Sequence, residues 1–223
     1  MTEINKISDS QIHVIDKNIP YSDYVAIDLS AGNSELESVK LNDPDDFGRY
    51  IINYLSKHKS AVAYGGYNEH RNLYRTSSIF NSNDAEDRNI HIGIDLWTSA
   101  GTSVLAALDG TIHSFSNNIG KGNYGPTIIL KHEINDTNLY TLYGHLSLDS
   151  IDNLTVGASI RQGQIIAALG TPDVNGGYPP HLHFQLIRQI GPYSGDYPGV
   201  CSRSDQTYYL ENCPDPNLLL KIK

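Results

Sequence analysis

Over residues 43–59 the chain reads DPDDFGRYIINYLSKHK, and Phe47, Tyr50, Ile51, Tyr54 and Leu55 recur at three- and four-residue spacing. That period predicts an amphipathic helix over about 44–58, opened by Pro44 and acidic residues, with its apolar stripe packed on a core. Upstream, residues 11–15 and 24–29 are short β-like stretches, and SAGNSELESVK reads as a loop with at most one short helical turn. From residue 61 to residue 187 the pattern changes to strands and turns. The runs AVAYGG, HIGIDLW, SVLAAL, TIHSF, TIILKHE, LYTLYGHL, SIRQG, QIIAAL and HLHFQLI are separated by Gly, Asn, Asp and Pro. Asp109-Gly110 is a hairpin signal of the kind that accepts positive φ.

Two segments resemble each other. AGTSVLAALDGTI at 100–112 and VGASIRQGQIIAAL at 156–169 both run glycine, small residue, apolar strand, turn, apolar strand. A folded-over antiparallel sheet would use such a unit once for each side, so the expected fold is mainly β, an antiparallel β-sandwich or half-open barrel. It carries an N-terminal α/β extension containing the one amphipathic helix. The expected organisation is an extension over 1–60, a central unit over 61–187, and an extended Pro-, Gly- and Tyr-rich tail over 188–223 that packs on it.

Composition narrows the function. Sixteen Lys and Arg against 25 Asp and Glu give a formal net charge of -9, which argues against nucleic acid or an anionic lipid surface as partner. No apolar run approaches the ~18 residues of a membrane span. The start, MTEINKISDSQIHVIDKN, has no basic region followed by an apolar stretch, so the expected location is cytoplasmic, or periplasmic or extracellular if a leader has been removed. Only Cys201 and Cys213 are present. A structural zinc needs four ligands and no second pair is near, so two buried or loop thiols are expected.

The nine histidines carry the chemistry. By chance alone nine His in 223 residues predict roughly 0.4 H-x-H pairs, so His181-Leu182-His183 has to be weighed by its context. In HIGIDLW, His91 and Asp95 alternate with Ile92, Ile94 and Leu96, which puts imidazole and carboxylate on one face of a strand. HLHFQLI likewise sets His181, His183 and Gln185 against Leu182, Phe184 and Leu186, and in LYTLYGHL Tyr143 and His145 share a face. Neutral imidazole and carboxylate oxygen are zinc ligands, and three of them leave a fourth position for water or substrate. Two further imidazoles, each able to take or supply a proton near neutral pH, complete the requirements of a metal-assisted hydrolase. Spacing alone leaves His181 and His183 equally placed as ligands. His113 and His132 are expected to be structural, and His13, His58 and His70 to lie on the surface or in loops.

HIGIDL followed by AGTSVLAALDGTI, YTLYGHLS, VGASIRQGQIIAALG and PPHLHFQL resembles, in order and spacing, the lysostaphin/LytM-type zinc metallopeptidases. The resemblance covers about residues 63–187. It implies a duplicated-hybrid-motif, barrel-sandwich-like fold, zinc held by His91, Asp95 and His183, and His145 and His181 as the catalytic pair. The implied reaction is attack of zinc-activated water on a peptide carbonyl, in peptidoglycan-derived or glycine-rich peptides. Gly65-Gly66 with Arg71 and Arg75 is either the glycine-and-arginine loop that such enzymes often carry near the groove, or a plain turn. The acidity, and a start that reads without a signal peptide, set a peptide or peptidoglycan fragment on a par with the intact wall as substrate, and the N-terminal section is expected to cap the groove and hold the enzyme latent. Two rival readings are a biotinyl or lipoyl carrier, disfavoured because the hairpin tips LDGT and RQGQ hold no lysine, and a non-catalytic zinc-binding regulator of another cell-wall hydrolase.

Overall fold

In a computed structural model, which describes residues 4–72 and 87–223, the chain is mainly β. A short β1 (Tyr24–Ala26) precedes helix α1 (Pro44–His58). The strands β2 (Val62–Gly65), β3 (Glu69–His70), β4 (Ile90–His91) and β5 (Ile94–Trp97) follow. Next come β6 (Ser103–Leu105), β7 (Gly110–Asn118), β8 (Gly125–Ile134) and β9 (Thr137–Gly144). The last strands are β10 (Ser159–Ile160), β11 (Ile165–Ala168), β12 (His181–Ile187) and β13 (Val200–Cys201), before the short helices α2 (Gln206–Asn212) and α3 (Asn217–Leu220). No helix among the described residues is long and apolar enough to cross a membrane.

Helix α1 begins where its caps dictate. The Asp43 carboxylate accepts from the amides of Asp45 and Asp46, Pro44 takes the first turn, and Lys59 in the left-handed region (φ 54°) ends the helix. Its stripe buries Phe47 and Ile51. Residues 11–15, by contrast, do not extend into a strand: Ile15 makes a single bridge to Val104, and Ile12, Val14 and Ile15 are instead fully buried in the main apolar core.

One large sheet has the order β1-β2-β5-β12-β9-β8-β7-β10, beside a two-stranded β11-β6 and a three-stranded β13-β4-β3. Among the described residues, only the β1–β2 pair is parallel. The two similar segments pair crosswise: β6 of the first lies against β11 of the second, and β7 of the first against β10 of the second. Each unit thus supplies the partner its counterpart lacks.

Three local expectations change. Asp109-Gly110 does not adopt positive φ. Among the described residues, the hairpin turn with two consecutive left-handed non-glycine residues is Asn135-Asp136, between β8 and β9. Glycine is needed at position 110 for space, since a Cβ there would sit 2.3 Å from the Lys131 carbonyl oxygen. HIGIDLW is two strands, β4 and β5, in different sheets. The tail is also less extended than its composition suggests, because α2 and α3 interrupt it and Leu219, Leu220 and Ile222 enter the main core. Cys201 and Cys213 are buried and unpaired, and burial pushes their thiols up to about 11 and about 12.

Candidate metal centre

The centre is assembled where β5 and β12 lie side by side. Their antiparallel register places His183 directly opposite Asp95 and His181 opposite Trp97. Leu182, Phe184 and Leu186 enter the main core, while His181, His183 and Gln185 project to the other face. That face is not solvent: all of β12 is buried. His91 reaches the same point from β4, and the chain breaks between β4 and β5 because it passes close over the centre. A Cβ on Gly93 would lie 2.5 Å from His183 Cε1.

His145 arrives by a route that alternation does not describe. Tyr143 stands opposite Phe184 and belongs to the main core, and Gly144 stands opposite His183. A regular strand would therefore point residue 145 into the core. Instead β9 ends at Gly144 and His145 takes a left-handed conformation, φ 64°, which turns its ring onto the histidine face. Such backbone in a non-glycine residue costs about 1–2 kcal/mol and persists only where its surroundings enforce it. Here the backbone of His145 is tied on both sides, its amide donating to the Tyr124 carbonyl and its carbonyl accepting from Gly170.

Asp95 Oδ1 is 3.3 Å from His91 Nε2 and 3.3 Å from His183 Nδ1, and these two nitrogens are 2.9 Å apart. His181 Nε2 is 3.9 Å from the same oxygen. Every ring has its other nitrogen committed. The Nδ1 groups of His91, His145 and His181 donate to the carbonyls of Gly66, Asn175 and Pro179 at 2.8, 2.7 and 2.8 Å. His183 Nε2 donates to Gln185 Oε1 at 2.9 Å. Each imidazole thus turns an unprotonated nitrogen inward, with its tautomer fixed from outside. Burial pushes His91 and His181 down to about 4 and His145 well below the usual histidine range. Burial acts against the Asp95 carboxylate, but the neighbouring His91 ring and the Arg71 guanidinium outweigh it and hold the group well below the usual carboxylate range.

Two nitrogen lone pairs and a carboxylate oxygen therefore converge with no proton between them. They repel one another unless a cation lies among them. Bonds near 2.05 Å set tetrahedral ligands about 3.3 Å apart, and the three separations here fit that spacing. His91, Asp95 and His183 form the one group of this kind among the described residues. The donor set, nitrogen and oxygen without sulfur, suits a borderline divalent cation.

A charged support stands behind Asp95. Its second oxygen, Oδ2, accepts from Arg71 Nη1 at 2.6 Å, and Arg71 Nε donates to Glu69 at 2.5 Å. Glu69 in turn accepts from the Leu29 amide. Gly66 is required for this arrangement, since a Cβ there would overlap the Arg71 guanidinium. The sequence left Arg71 either in a loop near the groove or in a plain turn, with no partner assigned; Arg75 lies outside the described residues. Replacing Arg71 by methionine is expected to weaken metal affinity by about 10–100-fold, read by competition with a chromophoric chelator. Unchanged affinity would leave Arg71 with no part in holding Asp95.

The centre opens into a cleft of about 250 Å³ whose lining includes Trp97, Tyr124, Tyr178 and Tyr193, with His145 and His181 at its base. Residues 196–200 of the tail form part of its wall, anchored by the Ile92 amide donating to the Gly199 carbonyl and by β13 pairing with β4. Among the described residues, none of residues 4–60 lines the cleft. The extension stands behind the site and does not cap it. His132 is held by the Asp109 carbonyl and the Thr141 hydroxyl, away from the cleft.

Comparison with known proteins finds a family model and relatives that match part of the chain. Residues 89–194 match the model for Peptidase family M23. An uncharacterized metalloprotease of Haemophilus influenzae is 30% identical over 115 residues, covering 50% of this chain and 22% of that protein. The peptidoglycan DD-endopeptidase ShyC of Vibrio cholerae is 35% identical over 99 residues, covering 44% and 20%. The match thus spans about a fifth of the length of each relative. Among solved structures, the catalytic domain of lysostaphin from Staphylococcus simulans is 25% identical, covering 78% of this chain and 97% of that one at a TM-score of 0.44.

Proposed function

Because the chain carries a peptidase family M23 domain at residues 89–194, we propose that it is a zinc-dependent metalloendopeptidase acting on peptidoglycan-derived or glycine-rich peptides. The observation that carries this reading is the convergence of His91 Nε2, His183 Nδ1 and Asp95 Oδ1, with the opposite ring nitrogens bonded to the Gly66 carbonyl and Gln185 Oε1. These three residues would hold the zinc. When bound, zinc supplies a Lewis acid that polarises a carbonyl and eases deprotonation of water.

The remaining steps belong to the protein. His145 and His181 are neutral near pH 7 and both present Nε2 to the site, their Nδ1 protons being held by backbone carbonyls. Their rings are 4.2 Å apart between centroids, close enough to act on one reacting group. One accepts the proton of the attacking water and, as the imidazolium so formed, steadies the developing oxyanion and returns that proton to the leaving amine, while the other accepts a hydrogen bond from the water and orients it. The aromatic lining offers flat, hydrogen-bonding surfaces to an extended peptide. In this reading residues 61–187 are the catalytic unit, and 1–60 and 188–223 pack on it.

The test is side-by-side digestion of intact peptidoglycan, soluble muropeptides and glycine-rich peptides by the zinc-loaded protein, with mass spectrometry of the products. Hydrolysis of a peptide amide, abolished by chelation and restored by zinc, is the expected result. Stoichiometric metal with no cleavage of any of the three would turn the reading to a non-catalytic regulator.

A further inference from the structure

His181 is oriented by Trp97 and Pro179, and both are backed by a helix that lies outside the matched residues 89–194. Trp97, the single tryptophan of the sequence, lies opposite His181 in the β5–β12 register. Their rings stack with centroids 3.8 Å apart and planes 19° from parallel. The edge of Phe47, from α1, meets Trp97 at 5.2 Å and 62°. Both Trp97 and Phe47 are only 1% exposed. The next residue of the helix, Gly48, faces Pro179: a Cβ there would sit 4.0 Å from the proline ring. Pro179 is also the residue whose carbonyl fixes the His181 Nδ1 proton. Helix α1 therefore backs onto both groups that orient His181, its stacking partner and its hydrogen-bond acceptor. On its other side the ring meets His145.

Taking the peptidase reading as given, we propose that the N-terminal extension is a positioning element for catalysis, and that Phe47 acts through Trp97 to hold the His181 ring in register with His145. A stacked ring with its Nδ1 bonded has two motions left, sliding across the tryptophan face and moving together with it. Phe47 blocks the second. The extension is then required for turnover, the opposite of a latency cap, whose loss would raise activity.

The test uses the full-length, zinc-loaded protein. Phe47→Ala is expected to lower kcat about 10- to 100-fold, the scale of an ångström-sized misplacement, with KM and bound zinc unchanged and with the emission of Trp97 shifted. Phe47→Leu, which keeps most of the volume, should retain most of kcat. Trp97→Phe, which preserves a stacking ring, should lose clearly less kcat than Trp97→Leu, which falls as Phe47→Ala does; this pair decides the matter if Phe47→Ala does not fold. Wild-type kcat in Phe47→Ala, a Phe47→Ala emission spectrum identical to wild type, or equal losses in Trp97→Phe and Trp97→Leu would overturn the proposal. Emission and zinc content are read without substrate. A wild type that hydrolyses nothing would therefore sink the peptidase reading separately.

Discussion

Substituting Asp95 by alanine is expected to take peptide hydrolysis to the uncatalysed background, and to do so by emptying the metal centre. Asp95 is the one group that serves both sides of the site, Oδ1 facing His91 and His183 and Oδ2 accepting from Arg71. Its removal would delete a proposed metal ligand and also takes one of its carboxylate partners from the buried guanidinium. Breaking a buried ion pair from one side typically destabilises by about 3–5 kcal/mol, a cost reduced here by the remaining Glu69 contact. The variant should therefore show near-zero metal by elemental analysis after desalting, no turnover, and an earlier denaturant midpoint. His183→Ala should lose metal without the same loss of stability, since it strands no charge. Stoichiometric zinc in Asp95→Ala would sink the ligand assignment.

His145→Ala should behave differently: metal retained, and kcat lower by about 10²- to 10⁴-fold, the range for a positioned acid or base. The left-handed backbone at this position adds a second, independent expectation. His145→Gly should be just as inactive, yet more stable than His145→Ala by about 1–2 kcal/mol, because glycine adopts φ 64° without the steric cost. Urea titration of the two variants makes the comparison. Equal midpoints would mean that the position is not strained, and full activity in either would remove His145 from catalysis.

How much of this was legible follows from what each signal measures. Helix α1 was readable because its apolar period and its opening residues, the acidic group and Pro44, are local signals; Lys59, whose left-handed backbone ends it, carries no such signal. His91, Asp95, His145, His181 and His183 were readable as a set, and the structure brings all five to one cleft. The strand period explains the placing of His181 and His183. It does not explain His145, where the strand ends and a positive φ reverses the face, nor HIGIDLW, which breaks at Gly93 to pass over His183. The partners that tune the set were not legible. Glu69 and Arg71 meet Asp95, and Phe47 meets Trp97, only through pairings between elements distant in the chain. The cleft wall at residues 196–200 falls past the strand pattern altogether, in a stretch whose composition signals only turns.

The placing of β12 between β5 and β9 also governs how the protein comes into being. Asp95 and His183 face each other across one strand pair but are separated by most of the domain in sequence. At about 5–20 residues per second of synthesis, β5 exists for several seconds before β12 leaves the ribosome. During that interval β5 and β9 each present an open edge toward a strand that has not been made, and no sequential zipping of hairpins can close the gap. Such long-range closure makes folding slow, because the entropy of a long loop must be lost before any pairing rewards it. The last strand inserted is also the one that carries His181 and His183, so a competent centre and a completed sheet arrive in the same event.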